Sequence, residues 1–280
     1  MNGLEAVEIR FSEIDLGDRY DAEYFSKEDL SIKHLLENRQ HSKLKNLGNF
    51  VASAFYPAAT QLYEFGDEPF IRCVDCINYP FITKQQDSLF EKIPIDFAIN
   101  QKGIANLKQG DIVITKVGTP CFSSIIEEYE HVALSRTVLG LKNIKNINRY
   151  YLLTFLRSKY GFNQLMRQRE LTIQFQLTLE RVKDVNVYIP NLIFQNEIEK
   201  IIRRQSEINK QYQTLYSLAE ELLLNELGLH NWEPTEANTE VKTFKNSFLE
   251  SGRLDAEYYQ PKYDEVIEKI QQTEYYTLAE

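Results

Sequence analysis

Two cysteines have the spacing of a pair of metal ligands, in the run Cys73-Val74-Asp75-Cys76. Such a pair supplies two ligands of a structural zinc site, which needs four nitrogen or sulfur ligands in all. The third cysteine, Cys121, and the four histidines show no matching pair spacing. We therefore expect Cys73 and Cys76 to be buried strand residues, and we predict neither a bound metal nor a nucleophilic role for Cys121.

The run Asn78-Tyr79-Pro80-Phe81 has the outline of the Asn-Pro-Pro-Tyr/Phe loop with which amino-methyltransferases hold a flipped base, although Tyr79 replaces a proline. Such an enzyme also needs a Gly-rich turn for its adenosyl cofactor, yet no two of the 11 glycines lie one residue apart. The sequence also lacks the phosphate-binding pattern Gly-x-x-x-x-Gly-Lys. These observations favour a binding protein without catalytic residues or cofactor over an autonomous DNA methyltransferase.

The net charge of −9 is unevenly distributed along the chain. Residues 1–30 carry nine acids against three bases, and residues 220–280 carry fourteen acids against five bases. The part between them, residues 31–219, therefore sums to +6, and residues 140–183 hold nine Lys or Arg against two Glu. Such a segment is suited to binding a polyanion, although the solvent-exposed face of a helix would show the same charge pattern.

Helices and short strands must position these groups. We expect a helix over residues 21–37, capped by Asp21, and a second helical part over residues 149–183, with its clearest periodicity over 149–165. Between them, residues 44–141 contain short runs of β-branched and aromatic residues, which predict a β-rich core. The strands that we expect are residues 69–74, 111–117, 132–141 and 185–190.

Apolar residues recur at alternating steps of three and four through residues 191–228, which predicts one long helix that Gly228 ends. From Gln195 to Leu227 such a helix is about 50 Å long. An apolar stripe of that length needs a partner helix, so we predict a coiled coil. The stripe comprises Phe194, Ile198, Ile201, Gln205, Ile208, Tyr212, Leu215, Ala219, Leu222 and Glu226.

The end of the chain repeats its beginning. Residues 19–25 and 253–259 share five of seven residues at a shift of 234, which is the length of a domain and not of a solenoid unit. We therefore expect a domain over residues 1–190, the long helix over 191–228, and a linker with the start of a second copy over 229–280. The hydrophobic content of 43%, the three cysteines and the lack of a long apolar segment predict a folded cytoplasmic protein without a membrane span.

Together these pieces resemble the specificity subunit of type I restriction–modification systems. The resemblance covers the chain from about residue 19 onwards, and it rests on the order and spacing of several runs. They are residues 107–114, Gly118, residues 132–136 and 150–158, Gly161, and residues 187–190 and 195–198.

The resemblance implies an α+β fold, in which a mixed β/α target-recognition domain is followed by a long coiled-coil-forming helix. Two such domains in tandem each recognise half of a split DNA target, their helices pair antiparallel, and separate modification and restriction subunits perform methylation and cleavage. This chain departs from the pattern in having one domain, one helix and the start of a second copy. Either a second half-subunit or a second copy of the chain supplies the other half, or the sequence is a fragment or a natural truncation of a longer subunit. An adaptor that docks on a partner protein without contacting DNA is the competing interpretation.

Three sets of residues are candidates for these contacts. Arg and Lys neutralise phosphates, and Arg, Asn and Gln recognise base edges. The candidates for phosphate contacts are Arg157, Lys159, Arg167, Arg169, Arg181 and Lys183. The candidates for base contacts are Lys116, Thr119, Arg136, Gln174 and Gln176. The candidates for pairing are Ile198, Ile201, Gln205, Ile208, Tyr212, Leu215, Ala219 and Leu222.

Overall fold

The computed structural model describes residues 6–11, 14, 20–54, 58–170, 175–274 and 276. The chain forms two compact units, Met1–Ser206 and Glu207–Glu280, and the division falls within the long helix. The boundaries that we drew at residues 190 and 228 follow the expected helix ends, and they remain predictions. No helix among the described residues has the length and apolar character needed to cross a bilayer.

Helices flank the β-rich part of the first unit. Its α-helices are α1 (Lys27–Glu37), α2 (Cys73–Asn78), α3 (Ile95–Asn100), α4 (Arg149–Arg157), α5 (Lys159–Arg167), α6 (Leu179–Val182) and the first part of α7 (Leu192–Glu226). Short 3-10 helices cover Ala22–Phe25, Leu44–Asn46, Ala58–Phe65 and Lys84–Leu89. The start of the chain differs from our expectation of one helix over residues 21–37, because Ser26 interrupts it. The Asp21 carboxylate caps the 3-10 turn at the Tyr24 amide, and the Ser26 hydroxyl caps α1.

Within the described residues, the β-rich part consists of three sheets. The strands are β1 (His41–Lys43), β2 (Asn49–Ala52), β3 (Glu68–Ile71), β4 (Phe81–Ile82), β5 (Lys92–Ile93), β6 (Asn106–Leu107), β7 (Ile112–Thr115), β8 (Ser123–Ile126), β9 (Val132–Leu134), β10 (Val138–Lys142) and β11 (Asn186–Tyr188). The largest sheet has the order β2-β10-β7-β8-β4, and the second has the order β5-β3-β9-β6. β1 and β11 pair separately and antiparallel.

The largest sheet is buried on both faces. Ile112 and Ile114 of β7 pack in the apolar cluster that includes α4, whereas Val113 between them packs in a second cluster on the opposite side. This alternation follows from the two-residue period of a strand. It explains why β7 is continuously apolar rather than alternating with polar residues.

Two expected elements are interrupted by serine. The strand expected over residues 132–141 is two strands, β9 and β10, separated by a turn at Arg136 and Thr137 that begins after Ser135. The helix expected over residues 149–165 is α4 followed by α5, because the Ser158 hydroxyl accepts from the Gly161 amide and starts a new helix. A Cβ atom at Gly161 would lie 2.2 Å from the Phe155 carbonyl oxygen, so only glycine permits this close junction.

We expected the cysteine pair to lie on a strand, and this prediction is wrong. The strand expected over residues 69–74 ends at Ile71, and Cys73 and Cys76 lie on α2. The Asp75 carboxylate accepts from the Arg72 amide at 2.7 Å, and this bond starts the helix. Cys76 is buried and Cys73 is partly exposed.

The repeat carries the same local structure at both ends of the chain. In the second unit a 3-10 helix covers Ala256–Tyr259 and α9 covers Pro261–Ile270, after the short α8 (Phe248–Ser251). A shift of 234 residues places these two elements on Ala22–Phe25 and on the start of α1 at Lys27. Arg19, which belongs to the first of the two compared segments, lies outside the described residues. The α+β fold that we expected, with a long helix after the mixed domain, is confirmed.

Candidate nucleic-acid interface

The loop that follows β7, residues 116–122, is held in a fixed shape by its own hydrogen bonds. Gly118 and Cys121 both adopt positive φ, at 89° and 78°. The Thr115 hydroxyl donates to the Thr119 carbonyl oxygen at 2.8 Å and accepts from the Phe122 amide at 2.9 Å. A non-glycine residue at positive φ is strained, so the surrounding bonds must hold Cys121 in place.

The turn between β9 and β10 lies against this loop. The amides of Lys116 and Val117 both donate to the Thr137 carbonyl oxygen, at 2.8 and 3.2 Å. The Thr137 hydroxyl accepts from the Cys73 amide at 3.1 Å and lies 2.6 Å from the Ser135 hydroxyl. The turn therefore presents Arg136, which is exposed, from a rigid base.

A third segment, residues 176–177, is hydrogen-bonded to the loop after β7. The Leu177 amide donates to the Lys116 carbonyl oxygen at 2.9 Å, and Gln176 forms an isolated β-bridge with Val117. Four of the five candidates for base contacts thus come from three hydrogen-bonded segments, which we call the recognition cluster: Lys116, Thr119, Arg136 and Gln176. Thr119 is exposed, and Lys116 and Gln176 are partly exposed. The fifth candidate, Gln174, lies outside the described residues.

The Arg157 side chain makes a hydrogen bond within the domain. Its guanidinium donates to the Ser123 carbonyl oxygen at 2.6 Å. Burial lowers the pKa of this guanidinium, because the charged form loses solvation. Arg157 therefore holds α4 against β8, and we leave it out of the proposed phosphate contacts.

Arg167 and Arg169 bind the segment at the start of the chain. The Arg167 Nε atom donates to the Tyr24 carbonyl oxygen at 2.7 Å, and its guanidinium carbon lies 3.9 Å from the Tyr24 ring centroid. Arg169 pairs with Glu23 at 3.2 Å and stacks over the Phe175 ring at 4.4 Å. The acidic start of the chain thus neutralises part of the basic segment.

The remaining cations lie nearer to solvent. Lys159 pairs with Glu28 at 2.6 Å, and its side chain is 66% exposed. Lys183 pairs with Glu180 at 2.8 Å. Arg181 lines a cleft of about 250 Å³. Ion pairs at the surface contribute little to stability because solvent screens them, so a phosphate can compete for Lys159 and Lys183.

The start of α7 is held against the rest of the first unit by residues that the sequence analysis did not predict. The buried Gln195 side chain accepts from the Asn148 amide at 2.8 Å and donates to the Pro190 carbonyl oxygen at 2.8 Å. The Arg203 guanidinium lies 4.3 Å from the Tyr150 ring centroid. The only local signal was Gln195 within the run 195–198; its partner Asn148 is 47 residues away in sequence.

The apolar stripe has two environments. Ile198 and its neighbour Ile202 pack against the core of the first unit, so Ile198 has a partner within its own domain. Phe194, Gln205 and most of the other stripe residues are exposed. Five large apolar side chains of the stripe are 51–65% exposed: Ile201, Ile208, Tyr212, Leu215 and Leu222. Ala219 is also exposed. Among the described residues, exposed side chains thus continue along α7 beyond the part that its own domain covers.

In the described part of the chain, Cys76 and Cys121 are buried and Cys73 is partly exposed. No group of three or more His, Cys, Asp or Glu residues there could hold a metal ion. Burial raises the pKa of the Cys121 thiol to about 12 and that of Cys76 still further. Both thiols are therefore protonated at neutral pH.

These elements define a class of protein: a recognition domain with polar loops gathered at one edge, joined to a long helix with exposed apolar side chains. The family described as "Type I restriction modification DNA specificity domain" matches residues 37–215, which is more than half of the chain. The chain therefore belongs to this family, as its resemblance indicated. No curated protein that was compared with the chain matches it.

Several solved structures are similar to the chain. The HsdS subunit from Thermoanaerobacter tengcongensis is 16% identical, with 68% of this chain and 45% of that chain covered and a TM-score of 0.42. The type I restriction-modification system S subunit from M. genitalium is 15% identical, with 76% and 51% covered and a TM-score of 0.45. The type IIG restriction endonuclease BpuSI is 10% identical, with 65% and 28% covered and a TM-score of 0.48. The chain thus spans about half the length of the two specificity subunits.

Proposed function

We propose that this chain is a sequence-specific DNA-recognition component of a type I restriction–modification complex, and that its first unit recognises one half of a split target. The observation that carries the proposal is the recognition cluster, because it joins four polar side chains suited to base contacts and lies within the matched residues 37–215. Catalysis belongs to partner subunits in this proposal, and no catalytic residue is assigned here.

We assign base recognition to Arg136 and Gln176. An arginine makes two hydrogen bonds to O6 and N7 of guanine, and a glutamine makes two to N6 and N7 of adenine. Lys116 and Thr119 offer a further cation and a hydroxyl beside them. The hydrogen bonds of Thr137 keep the backbone of the cluster fixed, so less ordering is required on binding.

We assign phosphate contacts to Lys159, Lys183 and Arg181. Each phosphate neutralised by such a cation releases counterions, so the affinity for DNA falls steeply as salt rises. Arg167 and Arg169 contribute to the positive field, although their side chains already contact Tyr24 and Glu23.

Pairing falls to the exposed part of the stripe on α7. Exposed isoleucine, tyrosine and leucine side chains that recur at heptad spacing are the pattern of a coiled-coil interface. We propose that a second α7, or the equivalent helix of another half-subunit, covers them. A symmetric pair of chains would recognise a target with two-fold symmetry and an unrecognised gap between its halves.

A second candidate function, docking on a protein without direct DNA contact, is favoured by an exposed apolar patch. Phe65, Ile95 and Ile99 are 74%, 38% and 55% exposed, and Asp67 connects their segments by accepting from the Ile95 amide at 2.8 Å. Clustered exposed apolar side chains mark protein-docking surfaces. We propose that this patch contacts a modification subunit, a contact that does not preclude DNA recognition by the recognition cluster.

The two candidates are separated by a mobility-shift titration of the full chain on a labelled 40-base-pair duplex at 50 and 200 mM salt. DNA recognition predicts a shift that weakens steeply with salt, and Lys159→Ala and Lys183→Ala together should reduce the salt dependence. Lys102→Ala, an exposed lysine outside the proposed contacts, is the matched control. The absence of a shift on any duplex would leave only the docking function.

A further inference from the structure

The two copies of the repeated segment have the same local structure but different surroundings. In the first copy, Tyr24, Ile32 and Leu36 are 7%, 5% and 3% exposed, because α1 packs against α5 and β11. Their counterparts at a shift of 234 are Tyr258, Val266 and Ile270. Tyr258 is 45% exposed, and Val266 and Ile270 are partly exposed.

We propose that residues 253–270, the repeat segment, form a docking segment for a second recognition domain, supplied by a second copy of this chain. The segment would occupy the surface that α5 and β11 present to residues 20–37, the leading segment. It would therefore compete with the leading segment of the copy that it binds, in the manner of segment exchange between identical protomers. The inference rests on the repeat and its contacts, and it does not depend on DNA binding.

The contacts that the leading segment makes identify the groups that matter. Arg167 covers the Tyr24 ring and binds its carbonyl oxygen, and Arg169 pairs with Glu23. The repeat segment retains both partners, as Tyr258 and Glu257. An aromatic ring and a carboxylate at neighbouring positions suit two arginines two residues apart on the same domain.

Tyr258 already has a guanidinium over its ring. The Arg253 guanidinium lies 4.3 Å from the Tyr258 centroid, close to the 3.9 Å that separates Arg167 from Tyr24. Arg253 also pairs with Asp255 of its own segment. A local arginine thus takes the position over the ring that a domain arginine takes in the first copy, and docking would exchange one guanidinium for the other.

One position distinguishes the two segments. Glu28, which pairs with Lys159 at 2.6 Å, corresponds to Lys262 in the repeat segment. Lys262 would therefore face Lys159 of a second copy. Lys159 is 66% exposed, so the repulsion should weaken docking by no more than about fivefold.

A labelled peptide of residues 251–272, titrated against the full chain and followed by fluorescence anisotropy without DNA, tests the proposal. We expect the peptide to bind the Glu23→Ala/Tyr24→Ala chain at least tenfold more tightly than the parent, whose leading segment is intact. A Tyr258→Ala peptide should lose at least tenfold in affinity, and a Lys262→Glu peptide should gain. A Glu268→Ala peptide is the control, because its counterpart His34 is exposed. Equal binding to both chains, or insensitivity to Tyr258→Ala, would overturn the proposal.

Hydrogen exchange on the parent chain covers the case in which the double variant does not fold. An excess of the peptide should accelerate amide exchange in residues 22–37 by displacing the leading segment, and the Tyr258→Ala peptide should not. Unchanged exchange in residues 22–37 at saturating peptide would also overturn the proposal. Failure here leaves DNA binding untouched, since no duplex is present.

Discussion

The backbone amide of Lys116 donates to the carbonyl oxygen of Thr137 at 2.8 Å, and this bond connects the loop after β7 to the turn between β9 and β10. The Thr137 hydroxyl extends the connection to the first amide of α2, at Cys73. One threonine therefore joins two segments of the recognition cluster, the loop and the turn, to α2.

Thr137→Val should lower the stability of the first unit while keeping the shape of the side chain. The substitution leaves the Cys73 amide without its acceptor, which costs about 1–3 kcal/mol when the group is shielded from water. The free energy of unfolding by urea, followed by circular dichroism, measures the loss. Thr214→Val is the control, because the Thr214 hydroxyl bonds only to the preceding turn of its own exposed helix. Equal stability of the two variants would show that Thr137 does not organise the cluster.

Arg157→Met should affect stability rather than DNA binding. The Ser123 carbonyl oxygen loses its guanidinium donor, and we expect a loss of about 1–3 kcal/mol in the free energy of unfolding. The salt dependence of duplex binding should stay at the parent value, because Arg157 contacts protein and not phosphate. A reduced salt dependence with unchanged stability would instead return Arg157 to the phosphate contacts.

Ile208→Asp should prevent pairing of the long helix. Ile208 is 51% exposed in the single chain, and a carboxylate at its position would have to lose water in a helix–helix interface. Size-exclusion chromatography with light scattering should give the mass of a monomer for this variant and of a dimer for the parent. Ser217→Asp, two residues from Leu215 and so on the opposite side of the helix, should leave the mass unchanged. An unchanged mass for Ile208→Asp would contradict the assignment of the stripe.

The Glu68 carboxyl group should make stability depend on pH. Its burial raises its pKa, although the His131 ring accompanies it at 2.7 Å. A carboxyl whose pKa is higher in the folded state binds more protons there than in the unfolded state. Its contribution to stability is present below its ordinary pKa and is lost as pH rises through the raised value.

Glu68→Gln removes this titration. The free energy of unfolding of the variant, relative to the parent, should therefore rise as the pH increases from below the ordinary pKa of a glutamate to neutral. Urea titrations of both proteins across this range measure the difference. A constant difference would mean that Glu68 titrates alike in the folded and unfolded states.

The long helix was predictable from sequence because its signal is local and repeats many times. Its observed bounds, Leu192–Glu226, differ by one or two residues from the predicted 191–228. The repeated start of the second copy was equally visible, since identity of sequence implies similarity of local structure. The breaks at Ser26 and Ser158 were missed, because a serine cap within an apolar pattern leaves the periodicity almost unchanged.

The recognition cluster was predictable only as separate residues. Lys116 and Gln176 are 60 residues apart in sequence, and the bond between the Leu177 amide and the Lys116 carbonyl oxygen depends on the completed fold. The basic segment was misleading in a different way. Its charge was counted correctly, but Glu23 and Glu28 come from the far end of the domain to pair with Arg169 and Lys159.

The most direct test of the central claim, that the recognition cluster selects a DNA sequence, is enrichment of a random duplex library by the full chain. Parent protein and the Lys102→Ala control should enrich the same motif at about 100 mM salt, where specific binding exceeds nonspecific binding. Arg136→Ala and Gln176→Ala should each relax the preference at one or two positions of that motif. No enriched motif for the parent, or a motif that both variants leave unchanged, would contradict the account.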